Sequence, residues 1–100
     1  MIWIMADVYR VEYQILLTKL RAARKSVGLT QVQVAGRLNR TQGYVNKIET
    51  GERRMDVVQL GDFCRALEID FVDFIGAYHD AVAEALAADA LVAEALQEEL

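Results

Sequence analysis

Four residues that start helices well, Thr30, Thr41, Asp56 and Asp70, punctuate the middle of this 100-residue sequence. Each precedes a run with apolar residues at helical spacing, which divides the chain into short helices before any packing is considered. Gln33 follows Thr30 by three positions and Gln59 follows Asp56 likewise, the spacing of a reciprocal capping box. Stop signals alternate with these starts. Gly28, Asn39 and Gly51 each follow a periodic run, and glycine and asparagine are the residues that best tolerate a left-handed turn. The chain has no proline and is 54% hydrophobic, which favours helix nearly throughout and supplies a core.

The expected order is therefore all-α. A first helix begins between Asp7 and Tyr13 and runs to about Ser26, with Leu16, Leu20, Ala23 and Val27 at helical spacing. The second spans Gln31 to Leu38 and the third Gln42 to about Thr50. A fourth, capped by Asp56, buries Val57, Leu60, Phe63, Cys64 and Leu67, and a fifth starts at Phe71. The alanine-rich end, "AYHDAVAEALAADALVAEALQEEL", either extends the fifth helix or breaks near Gly76 into a sixth. No strand pattern and no internal repeat is present.

The net charge of −4 hides a strong polarity. Thr18 to Arg54 holds nine Lys or Arg against only Glu49 and Glu52; Ala66 to Leu100 holds nine Asp or Glu and no Lys or Arg. A phosphate backbone attracts the first half and repels the second.

Other classes are excluded on chemistry. Cys64 is the single cysteine and His79 the single histidine, too few for a protein metal site or an internal disulfide. Cys64 lies on an apolar face, where a small buried hydrophobe is the default, and His79 has no nucleophile to serve. No catalytic residue, metal ligand or cofactor site is expected, and the chain does not read as an enzyme. "MIWIM" lacks the basic flank and length of a signal peptide, and no apolar run reaches the ~20 residues of a membrane span. The expected location is cytoplasmic.

The third helix raises the functional question. Val45 and Ile48 lie one turn apart, and Gln42, Gly43, Asn46 and Lys47 fall on the other side. Amides, a bare glycine and an ammonium on one free face suit contact with hydrogen-bonding edges. Two short helices joined at "LNRT", the second displaying such groups, form a helix-turn-helix pattern. The segments "LRAARKSVGLTQVQVAGRLNRTQGYVNKIETGERR" and "LGDFCRALEID" strongly resemble the phage repressor and Cro-like, or xenobiotic-response-element (XRE), helix-turn-helix family, over about residues 13–76.

That resemblance implies a lambda-repressor-like five-helix domain with its third helix in the DNA major groove. Gln42, at the first turn, suits adenine edges; Lys47 can reach guanine or a phosphate, and Asn46 is a weaker reader. Gly43 permits close approach but specifies no base, a departure from relatives with a polar side chain there. Gln31 matches the family's phosphate-contacting glutamine. Thr41 and Tyr44 can donate to phosphate, although Tyr44 can equally pack against the second helix. Arg53 and Arg54 look like phosphate clamps, and Arg40 stands where relatives carry an apolar turn residue. Arg24 and Glu49 match the family's structural salt bridge. Met55 replaces a common proline, which implies a looser loop. Arg37 and Lys19 read as ordinary surface charges. A bacterial, phage or plasmid origin follows only from the family.

The end of the chain suggests a partner. Drawn as a helix, Val82, Ala85, Leu86, Val92, Ala93, Leu96 and Leu100 share one face, opposite Glu84, Glu94 and Glu98. A helix from Phe71 to Glu99 is about 43 Å long, against about 25–30 Å for a domain of this size. The end must project or fold back. Projection favours a homodimer on an inverted-repeat operator, most simply as a repressor. The alternatives are a helix packed on its own domain, or an antitoxin-like module whose last helix binds a heterologous protein. Asp89 interrupts the apolar face, either fixing a dimer register or capping a new helix after Ala87–Ala88. The expected division is 1–12 as an N-terminal extension that supplies apolar cover for the last helix with Trp3 as its anchor, then 13–76 as the DNA-binding domain and 77–100 as the dimerisation element.

Overall fold

The computed structural model describes residues 10–98, so Trp3, most of the N-terminal extension and Leu100 lie outside the described residues. Among the described residues there are five helices and no strand: α1 Val11–Ser26, α2 Gln31–Leu38, α3 Gln42–Thr50, α4 Val57–Leu67 and α5 Phe71–Glu98.

The helix starts follow local chemistry. Thr30 Oγ1 accepts from Gln33 N–H at 3.1 Å while Gln33 Oε1 accepts from Thr30 N–H at 2.9 Å, and Asp56 and Gln59 repeat this box at α4. Thr41 Oγ1 accepts from Tyr44 N–H, and Asp70 Oδ1 from Asp73 N–H. Three helices end in left-handed turns at Gly28, Asn39 and Gly51. A fourth left-handed turn, at Glu68 (φ 58°), has no glycine or asparagine to announce it. There Ile69 N–H donates back to Cys64 C=O and Glu68 N–H to Arg65 C=O, closing α4 despite the steric cost of a β-carbon.

The core gathers Leu20, Val34, Ala35, Val45, Ile48, Leu60, Phe63, Cys64, Leu67 and Phe74. Ala35 is buried between α2 and α3, where a small residue lets the helices approach. Two expected core positions are not core. Val27 lies beyond the last turn of α1 and Val57 opens α4, and both are exposed; Leu17 and Ala66 are buried instead. Met55 also departs from expectation. Its side chain is buried, and its N–H, which a proline would lack, donates to Tyr13 Oη at 3.1 Å, so the loop is tied down at two points.

Arg37 is more than a surface charge. Its Nη1 donates to the Ala66 carbonyl at 2.7 Å, stitching α2 to the last turn of α4.

Helix α5 runs unbroken through Gly76 and Asp89, so the sixth helix and the Asp89 cap do not form. An interior glycine costs only about 1 kcal/mol against alanine, and the alanine-rich flanks carry the ladder across it. Phe74 is buried and Ile75, Tyr78, Ala81, Val82 and Ala85 are half-buried, with α5 lying against α1. From Leu86 to Glu98 every residue is exposed. The end projects and does not fold back on its own domain.

Candidate nucleic-acid interface

The centre of the site is a buried carboxylate. Glu49, near the end of α3, is 2% exposed and is the one buried charged residue among the described residues. Isolated, such a charge would be costly; here it is paired on both oxygens. Arg24 Nε donates to Glu49 Oε2 at 2.6 Å and Arg24 Nη2 to Oε1 at 3.0 Å, a bidentate fork. Arg24 Nη1 donates to Leu29 C=O, and Arg21 Nη2 to Glu49 C=O, both at 2.9 Å. α1 is thereby fixed to the end of α3.

The network continues outward. Gln31 Nε2 donates to Glu49 Oε1 at 3.1 Å and lies 3.3 Å from Asn46 Oδ1. With its nitrogen so used, Gln31 presents its carbonyl oxygen to Gln42 Nε2, which donates to it at 2.7 Å. Gln42 is exposed and retains its carbonyl oxygen and a second N–H, one acceptor and one donor on a single rigid amide. A buried ion pair thus orients a surface amide through one glutamine.

Cations gather beside it. Arg40, in the turn before α3, and Arg53, in the loop after it, both set their guanidinium carbons 4.9 Å from the centre of the Tyr44 ring. Tyr44 is half-buried and stacks on Phe63 at 6.4 Å, and Gln59 Nε2 lies 3.4 Å from its hydroxyl. Its packing partner is therefore α4, where the sequence suggested α2. Thr41 and Lys47 are exposed at the two ends of the same helix. Arg54 lies apart, over the Tyr13 ring at 5.7 Å, in a cleft shared with Arg10, Glu12 and Tyr78. Consecutive arginines thus face different surroundings.

Gly43 is exposed, and a β-carbon there would meet nothing closer than Thr41 Oγ1 at 3.8 Å. The fold has room for a side chain at this position, so its own packing does not demand glycine.

The path from Arg24 through Glu49 and Gln31 to Gln42, together with the convergence of Arg40 and Arg53 on Tyr44, went unseen in the sequence. Only the family register hinted at Arg24 with Glu49; no spacing links the other partners.

The helix-turn-helix domain family matches residues 15–73. An XRE-family-like protein from Pseudomonas syringae pv. tomato is 36% identical, with 77% of this chain and 94% of that one covered and a TM-score of 0.70. The chain belongs to the XRE-type helix-turn-helix family. This XRE-family chain is also similar to the restriction-modification controller protein C.AhdI from Aeromonas hydrophila, at 26% identity over 69% of this chain and 97% of that one, TM-score 0.57. The clp gene regulator ClgR from Corynebacterium glutamicum shares the fold at 23% identity, covering 82% and 87%, TM-score 0.68. No curated protein matches the chain significantly. Family membership carries the coarse function, that of a DNA-binding regulator. Among the described residues no helix is long and apolar enough to cross a membrane.

Proposed function

We propose that this XRE-family chain is a sequence-specific double-stranded DNA-binding repressor that acts as a homodimer on an inverted-repeat operator. In this reading α3 enters the major groove and α2 crosses the backbone above it. The observation that carries it is the Gln31–Gln42 pair, an exposed amide held in one orientation by a buried ion pair.

Gln42 offers its oxygen and remaining N–H to adenine N6 and N7. Lys47 reaches guanine or a phosphate, and Asn46 adds a weaker contact. Gly43 lets a sugar or thymine methyl come close. Thr41, at the start of α3, donates its hydroxyl to a phosphate, an anion that the helix N-terminus favours. Gln31 holds Gln42 with its side chain, while its backbone N–H, in the first turn of α2, donates to a phosphate. Arg40 and Arg53, steadied by Tyr44, neutralise neighbouring phosphates, and Arg54 contacts the backbone farther out.

Residues 13–76 serve as the DNA-binding domain and 77–100 as the dimerisation element, through Val82, Ala85, Leu86, Val92, Ala93 and Leu96. Two half-sites then lie about 34 Å apart, or a multiple of it. Occupancy alone represses, by excluding polymerase.

One observation favours a second reading. The exposed end of α5 also suits a heterologous protein, as in an antitoxin. Selection from a random duplex pool at near-physiological salt separates the two. An enriched inverted repeat supports the operator-binding homodimer and gives its spacing. A folded preparation that enriches no motif overturns it and moves the function to the protein partner.

A further inference from the structure

A carboxylate only accepts hydrogen bonds, and that fixes the polarity of the amides leading outward from Glu49. Glu49 Oε1 lies 3.1 Å from one end of the Gln31 amide, which must therefore be the nitrogen. The same nitrogen faces one end of the Asn46 amide at 3.3 Å, so that end is the oxygen. The other end of Gln31 is then its carbonyl, and the Gln42 atom 2.7 Å from it must donate. Turning any of these amides over sets donor against donor or acceptor against acceptor. The buried charge thus decides which way the exposed Gln42 faces.

What Gln42 has left for a partner is its carbonyl oxygen and one N–H. Gly43 beside it carries no side chain to share the contact. In the major groove an outward acceptor paired with a donor selects adenine, through N6–H and N7. Adenine offers the groove a single N6 hydrogen, because the other pairs with thymine. A methyl group on N6 that leaves the base pair intact takes the place of that hydrogen. It removes what the Gln42 oxygen accepts, sets carbon in the oxygen's path and shields N7. A free glutamine could turn its amide aside, whereas this one is held.

We infer that this XRE-family chain senses the methylation state of its operator, requiring an adenine with an unmethylated N6 at the base that Gln42 contacts. The inference rests on the operator-binding reading and adds a control to it, covalent modification of the DNA.

The test uses the full chain and the duplex recovered by selection, with N6-methyladenine placed synthetically at one adenine of each half-site at a time. At the base whose preference Gln42→Ala relaxes, the methyl should weaken wild-type binding about tenfold or more. Gln42→Ala should bind plain and methylated duplexes alike. Gln31→Ala, in which Gln42 turns freely, should lose less to the methyl than the wild type does. Wild-type binding indifferent to the methyl at that base overturns the inference and leaves the operator reading standing. A base there other than adenine, or no base relaxed by Gln42→Ala, does the same. Equal losses in Gln42→Ala and the wild type would assign the effect to DNA shape and also overturn it. A folded protein that selects no operator overturns both.

Discussion

Gln42 donates from its amide nitrogen to the Gln31 carbonyl oxygen at 2.7 Å, and Gln31 is itself held by Glu49. A reader held this way has its donor and acceptor assigned before DNA arrives, which limits the rotamer entropy lost on binding. Gln42→Ala is expected to relax preference at a single base position by about 1–3 kcal/mol. Gln31→Ala should relax that same position by a smaller amount, because Gln42 remains but turns freely. Competition binding over a library of single-base operator variants checks this. An effect of Gln31→Ala at a different base would sink the coupling.

Arg53 predicts a different signature. Its guanidinium stacks on Tyr44 and makes no ion pair in the hydrogen-bond network that holds Gln42. Arg53→Ala should weaken all sequences alike and lower the slope of log affinity against log salt by roughly one. Titrations at three salt concentrations, on operator and on unrelated duplex, measure it. Sequence-dependent loss would assign Arg53 to base reading.

Arg24→Met removes the bidentate fork and leaves the buried Glu49 carboxylate with only Gln31 and the half-exposed Arg21 guanidinium, whose Nε is 3.8 Å from Oε1. The expected loss is about 3 kcal/mol. In a domain of this size that lowers Tm by more than about 10 °C. Arg24→Met with Glu49→Leu should recover most of the loss, since neither charge then remains. Thermal unfolding of the two variants checks both statements. The double variant should still bind DNA with poorer base discrimination, because Gln31 has lost its anchor.

What could be read from the sequence was local. Thr30 with Gln33 and Asp56 with Gln59 lie within one turn, so their hydrogen bonds are written in adjacent residues. Arg37 reaches a carbonyl 29 positions away and Tyr13 an amide 42 positions away, and no periodicity marks either. The polar face of α3 was legible as a face. That Gln31 couples Gln42 to a buried ion pair was not, because that depends on how α2 and α3 cross. The α5 helix was ambiguous at Gly76 and Asp89 because a weak helix former breaks a helix only where packing asks for it.

Glu68 offers a stability test independent of DNA. It holds φ 58° and ψ 40° at the end of α4, a conformation that costs a residue with a β-carbon about 1 kcal/mol or more. Its exposed ion pair with Arg37, at 4.0 Å, contributes little. Glu68→Gly should therefore stabilise by about 0.5–1 kcal/mol, after glycine's greater freedom in the unfolded chain is offset. Glu68→Ala, which keeps the β-carbon, should not. A urea series with both variants decides it, and equal midpoints would mean that the left-handed turn carries no strain.

Cys64 predicts a pH dependence. It is buried on α4, and removal from water pushes its thiol pKa up, with Arg65 pulling it partly back. Ionisation is then easier in the unfolded chain than in the native one. The native state holds the proton longer, so this contribution to stability is intact below the ordinary thiol range, about 8.5, and shrinks as pH rises through it. The urea midpoint of the wild-type protein should fall more between about pH 7 and about pH 9.5, the window set by the thiol, than that of Cys64→Ala, which lacks the group. Alkylation should follow the same logic. A thiol reagent at neutral pH should label Cys64 only as fast as the core opens, so adding urea below the midpoint accelerates labelling. Rapid labelling of the folded protein would instead place the thiol at the surface.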